Sequence, residues 1–136
     1  VPQPILDAFN ENGWTFVIGT EYLTDLNLKL GVNCIGAAVY TEKRIYVSEA
    51  SAVLHEFGHF LDCTMGFPQA HKDLYAREAA SAPMKQHAKS NSLEYFAEFF
   101  AYWLSGSTRT LAQLKELTPE TYAYFEELSA DWIPLA

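Results

Sequence analysis

His55-Glu56-Phe57-Gly58-His59 sets two imidazoles four residues apart with a carboxylate between them. On a helix, positions four apart share a face, with Cβ atoms about 5–6 Å from one another, so both rings can reach one cation. The pattern is H-E-x-x-H, in which the histidines supply two of the four ligands that zinc usually takes. Glu56 follows His55 by one residue and points about 100° around the axis, toward a water rather than the ion, where a general base belongs. The flanks Ala50-Ser51-Ala52-Val53-Leu54 and Phe60-Leu61 are mostly apolar, which predicts a helix built for burial. Ionisable groups in such a helix need partners, and a metal is one. The alternative, a surface helix with two solvated histidines, does not account for those flanks.

A zinc site for hydrolysis takes three protein ligands and keeps one position open. The continuation H-x-x-G-x-x-H is excluded, because Asp62 stands where the glycine belongs and Met65 where the third histidine belongs. Cys63 falls one turn past His59 and is badly placed for an ion lying between the histidines. Further on, Glu94-Tyr95-Phe96-Ala97-Glu98 puts two carboxylates on one face of an otherwise apolar helix, a poor match to a solvated stripe. One of them can bind zinc while the other accepts a hydrogen bond from a ligand imidazole. Spacing alone leaves open which does which.

The rest of the chain sets bounds. With 136 residues, 49% of them hydrophobic, it is long and apolar enough for one globular domain over residues 1–136 with its own core. A formal charge of −8, with nine Lys and Arg scattered rather than clustered, argues against nucleic acid and favours a basic partner. No apolar run reaches the roughly 18–20 residues that cross a bilayer. The first residues, Val1-Pro2-Gln3-Pro4, are no signal peptide, and without an initiator Met the chain reads as a processed piece. Cys34 and Cys63 make either one disulfide or two thiols.

Element by element, Ile5 to Phe9 reads as a short helix behind Pro4, and Trp14 to Ile18 as a buried strand. Tyr22 to Leu30 reads as a helix or irregular segment closing at Gly31. Cys34 to Tyr40 and Arg44 to Ser48 form an antiparallel hairpin around Thr41-Glu42-Lys43. The histidine helix is expected from Ala50 to Cys63, capped by Ser48, Glu49 or Ser51 and stopped near Gly66 and Pro68. Gln69 to Ser92 is polar and expected at the surface, with a helix over Leu74 to Ala80. Asn91 or Ser92 then caps an apolar helix from Leu93 to Leu104, and two amphipathic helices follow, Thr108 to Leu117 and Pro119 to Leu128.

His55-Glu56-Phe57-Gly58-His59 with Asp62, followed by Asn91-x-x-Glu94-Tyr95-Phe96-Ala97-Glu98-x-Phe100, resembles the catalytic domain of anthrax lethal factor and the related secreted Pro-Pro endopeptidases over residues 34–105. The resemblance implies an α+β, zincin-like fold, a small twisted sheet packed on the H-E-x-x-H helix above a mainly helical C-terminal half. It implies one Zn²⁺ held by His55, His59 and Glu94, with Glu98 behind the ligands. It also implies a secreted zinc metalloendopeptidase, expected as a monomer, that hydrolyses a peptide or protein substrate with Glu56 as base. In that family a tyrosine seven residues before the ligand glutamate donates to the oxyanion, and here the position is His87. His87 either donates an imidazole N–H to the developing charge or is a solvated residue of Lys85-Gln86-His87-Ala88-Lys89. Tyr75, Tyr95 and Tyr102 are the other candidate donors, and His71 is expected at the surface, with a substitute zinc ligand as the alternative. Gly36, Ala37 and Ala38 are expected to line the cleft, where a free strand edge accepts an extended peptide, or else to form an ordinary core strand. The rival from another class is a zinc-containing peptide-binding module derived from such a peptidase that no longer cuts.

Overall fold

The computed structural model describes residues 1–19, 21–30 and 34–132. α1 (Gln3–Glu11) begins at prolines, whose missing N–H costs nothing in a first turn, and buries Ile5, Ala8 and Phe9. β1 (Thr15–Ile18), α2 (Glu21–Leu30), β2 (Gly36–Val39) and β3 (Arg44–Val47) follow. Among the described residues the strands form one mixed sheet in the order β1-β3-β2. β1 runs parallel to β3, and β2 runs antiparallel to it with Gly36 opposite Val47 and Val39 opposite Arg44. The expected hairpin is therefore present, shorter at both ends. The architecture is α+β, with the helices dominating.

One expectation for this half is corrected. The strand ending at Ile18 is not buried: Trp14 just before it is, but Val17 and Ile18 are exposed, Ile18 at 80%. β1 is an edge strand, and only Phe16 packs partly against the core. The stop expected at Gly31 lies outside the described residues. Cys34 and Cys63 are both free thiols.

α3 (Val53–Thr64) carries the histidines and is entered through a 3₁₀ turn over Ala50–Ala52. None of Ser48, Glu49 or Ser51 caps it, since neither the turn nor the helix receives a side-chain cap hydrogen bond. The turn itself satisfies some of the first amides through 3₁₀-type bonds, as with Ala52 N–H donating to Glu49 O. α5 (Ser92–Ser105) is capped by Asn91, whose Oδ1 accepts from Glu94 N–H at 2.9 Å.

α3 and α5 form the most extensive contact between elements, and one small residue on each explains how closely they cross. A Cβ on Gly58 would stand 2.7 Å from Ala97 Cα and 2.9 Å from Ala97 O. Only glycine in the middle of the H-E-x-x-H helix lets the backbone of α5 come that near. Because Ala97 stands between Glu94 and Glu98, the same approach brings both carboxylates beside the histidines. Around the crossing, Phe57, Phe60, Phe96, Phe99, Phe100 and Phe125 form an aromatic core with Ile5, Phe9 and Trp14.

The polar stretch after α3 also differs from expectation. α4 (Gln69–Glu78) starts at Gln69 rather than Leu74 and buries His71, Leu74 and Glu78, which share one face. His71, expected at the surface, is 2% exposed. Its Nδ1 lies 2.7 Å from Asp62 Oδ1 and its Nε2 2.7 Å from the Tyr124 hydroxyl, while its ring stacks on Phe96. α6 (Thr108–Leu117) and α7 (Pro119–Asp131) complete the chain. Buried Glu78 accepts from the backbone N–H groups of Glu120 and Thr121, so a carboxylate from α4 satisfies the positive end of α7. No helix among the described residues is long and apolar enough to cross a membrane.

Candidate metal centre

A cavity of about 910 Å³ opens between the β2 edge, α3 and the segment leading into α5. Its floor carries His55, Glu56 and His59, and Glu94 and Glu98 face them from α5. His55 Nε2 and His59 Nε2 lie 3.1 Å apart. Glu94 Oε2 is 3.0 Å from the first, and Glu94 Oε1 is 3.2 Å from the second. Among the described residues, His55, His59 and Glu94 are the group whose ligand atoms converge as a metal site requires. Ligands about 2.0–2.1 Å from a tetrahedral zinc stand about 3.3 Å from one another. The donors observed are spaced at nearly that interval, and their chemistry, two imidazoles and a carboxylate, suits zinc.

The electrostatics agree. Burial works against a charge on His55, but the Glu94 and Glu98 carboxylates beside it outweigh burial and push its pKa up to about 10. Burial likewise opposes the charge on Glu94, yet hydrogen bonds from His55 and His59 hold its carboxyl well below the usual range. The arrangement therefore favours positive charge at the point where the ring nitrogens meet. A metal cation answers the same demand as a proton.

Glu98 Oε2 sits 3.5 Å from His55 Nδ1, on the far side of the ring from the convergence point. Of the two carboxylates, Glu94 thus faces the inner nitrogens and Glu98 backs an outer one. Glu56 is buried, and its Oε2 has no hydrogen-bond partner among the described residues. Burial raises its pKa, so it is a stronger base than an exposed carboxylate. Gly36 lets β2 lie against it, for a Cβ there would stand 2.9 Å from Glu56 Oε1. Gly36, Ala37 and Ala38 line the cavity.

His87 comes to the opposite rim from a 3₁₀ turn over Gln86–Lys89. Its side chain is 81% exposed, and Nε2 stands 3.5 Å from Glu94 Oε2. Tyr75, Tyr95 and Tyr102 do not line the cavity. The Tyr75 hydroxyl donates to Lys89 O, and that of Tyr95 is paired with Thr121 Oγ1 in the core. Sequence reasoning missed Tyr40, whose hydroxyl lies 3.3 Å from His59 Nδ1. Burial pushes its pKa well up, with the Asp62 charge adding to the effect, so it stays a neutral phenol. Its position, one residue beyond β2, gave no sign of the contact, because His59 is nineteen residues away in sequence.

The family model described as anthrax toxin lethal factor, N- and C-terminal domain, matches residues 7–128. The chain belongs to that family. No curated protein matches the sequence.

Proposed function

We propose that this chain is a zinc-dependent endopeptidase with a zincin-like fold, built like the catalytic domain of lethal factor. The observation that carries the reading is the convergence of His55 Nε2, His59 Nε2 and the Glu94 carboxylate within 3.0–3.2 Å, beside a buried glutamate with a free oxygen. His55, His59 and Glu94 would hold the ion, and Glu98 would orient His55. Zinc bound there supplies a Lewis acid and brings the pKa of a water toward about 7.

The protein groups divide the remaining work. Glu56 takes a proton from the attacking water at its unpartnered Oε2 and returns it to the leaving amine. β2 pairs with β3 on one side, and its other edge borders the cavity, so an extended substrate can add there as a further strand. The small side chains of Ala37 and Ala38 leave room for that backbone. His87 donates its Nε2–H to the carbonyl oxygen as negative charge develops. Secretion, a peptide or protein substrate and a monomeric state are proposed with the same resemblance.

Purified protein with zinc, offered a degenerate peptide library, tests the reading: cleavage is expected, and Glu56→Ala should abolish it. The exposure of His87 favours a second reading, because a donor so little held by its neighbours is a weak fixture for an oxyanion. On that reading the chain binds peptides at a zinc-loaded cleft without cutting. Peptide capture without cleavage by the wild type would select it. If His87 is the donor, His87→Ala lowers kcat about 10²–10³-fold with zinc content unchanged.

A further inference from the structure

The two histidines are backed differently. His55 has a carboxylate behind its outer nitrogen, Glu98 at 3.5 Å, whereas His59 has a phenol, Tyr40 at 3.3 Å. We infer, resting on the zinc reading above, that Tyr40 is a positioning residue that fixes the tautomer of His59 by accepting its Nδ1–H, so that the Nε2 lone pair is delivered to the metal.

Three observations carry this. First, the Tyr40 ring is clamped rather than free, set edge-on against Phe67 with centroids 5.3 Å apart and against Trp14 at 6.4 Å. A hydroxyl on a ring so held presents its oxygen at a fixed place. Second, the opposite polarity fails at the other end of the imidazole. If the phenol donated to Nδ1, the neutral ring would carry its proton on Nε2, which faces His55 Nε2 at 3.1 Å. That proton would occupy the point where the metal ligands converge. Third, Asp62 lies one turn beyond His59 on α3, and its buried Oδ2 has no partner among the described residues. Of the ionisable groups around the phenol, Asp62 acts on it most strongly, which favours the hydroxyl orientation whose lone pairs face His59. Backing partners of this kind usually change metal affinity about 10–100-fold.

Tyr40→Phe removes the hydroxyl and keeps the ring between Trp14 and Phe67. Zinc affinity, measured by competition with a chromophoric chelator, should fall about 10–100-fold, while the melting temperature of the metal-free protein stays near that of the wild type. In the wild-type zinc form, long-range ¹H–¹⁵N spectra should show the His59 proton on Nδ1. Wild-type zinc affinity in Tyr40→Phe, or a His59 proton on Nε2 in the zinc form, overturns the role of Tyr40 alone. A wild-type protein with no zinc affinity overturns the zinc reading, and the role of Tyr40 with it.

Discussion

Two histidine clusters lie against the same helix, α5, and meet the same kinds of neighbours, carboxylates and phenols. His71 is closed: one ring nitrogen is paired with Asp62, the other with Tyr124, and its face is covered by Phe96. His55 and His59 are open: their outer nitrogens are backed by Glu98 and Tyr40, while their inner nitrogens converge on a cavity with Glu94. What distinguishes a site from a structural cluster is thus where the donors left over are aimed. In the closed cluster both nitrogens are satisfied by the fold, and the cluster ties α3, α4 and α7 together. In the open one the fold itself supplies the convergence.

The comparison breaks most sharply at Glu56, which belongs to the open cluster and contributes nothing to the closed one. Glu56→Gln should lower kcat for peptide hydrolysis about 10²–10⁴-fold, with zinc content and melting temperature held. Steady-state kinetics beside a thermal scan check it.

His71→Ala should do the reverse. It leaves the buried Asp62 without its hydrogen-bonded partner, a loss that typically costs about 3–5 kcal/mol of stability. Denaturant unfolding measures that cost, and below its transition the variant should still bind zinc. Loss of zinc by a fully folded His71→Ala protein would show that the two clusters are not separate.

Gly58→Ala is expected to touch both properties, since the added Cβ meets the Ala97 backbone at 2.7 Å and forces α3 and α5 apart. Overpacking of this kind costs about 1–3 kcal/mol, and zinc affinity should weaken because Glu94 retreats from the histidines. Chelator competition and unfolding on the same sample check both effects.

The smallest effect is alkaline. Burial pushes Tyr95 up to about 12, and Tyr124, beside His71, to the same range. Both favour the protonated form when folded. Their contribution is therefore fully present below an unfolded-state pKa of about 10 and is lost as pH rises through 12. The melting temperature should fall between those pH values, and less steeply in Tyr124→Phe.

The contrast between the clusters also marks what could be read in the sequence. Spacing along one helix is local information, so the pairing of His55 with His59 and the shared face of Glu94 and Glu98 were legible, as was an α+β chain with a hairpin leading into α3. The finer choice between Glu94 and Glu98 came from family resemblance, and the geometry places Glu94 on the inner nitrogens. Contacts between distant segments were not legible. His71 looked like a surface residue because its partners, Asp62 and Tyr124, come from other helices, and a polar stretch conceals a face whose polar groups are paired inside. Tyr40 was hidden in the same way, and Gly58 passed as a variable position of the motif although it sets the approach of α5. β1 was misread as buried because an apolar run does not show that its strand lies at a sheet edge.

Zinc per chain, determined by elemental analysis after dialysis, tests the separation of the clusters most directly. The account predicts one equivalent in the wild type and in His71→Ala, and nearly none in His59→Ala and Glu94→Ala. A Glu94→Ala protein that keeps its full equivalent of zinc, or a wild type that holds none, would contradict it.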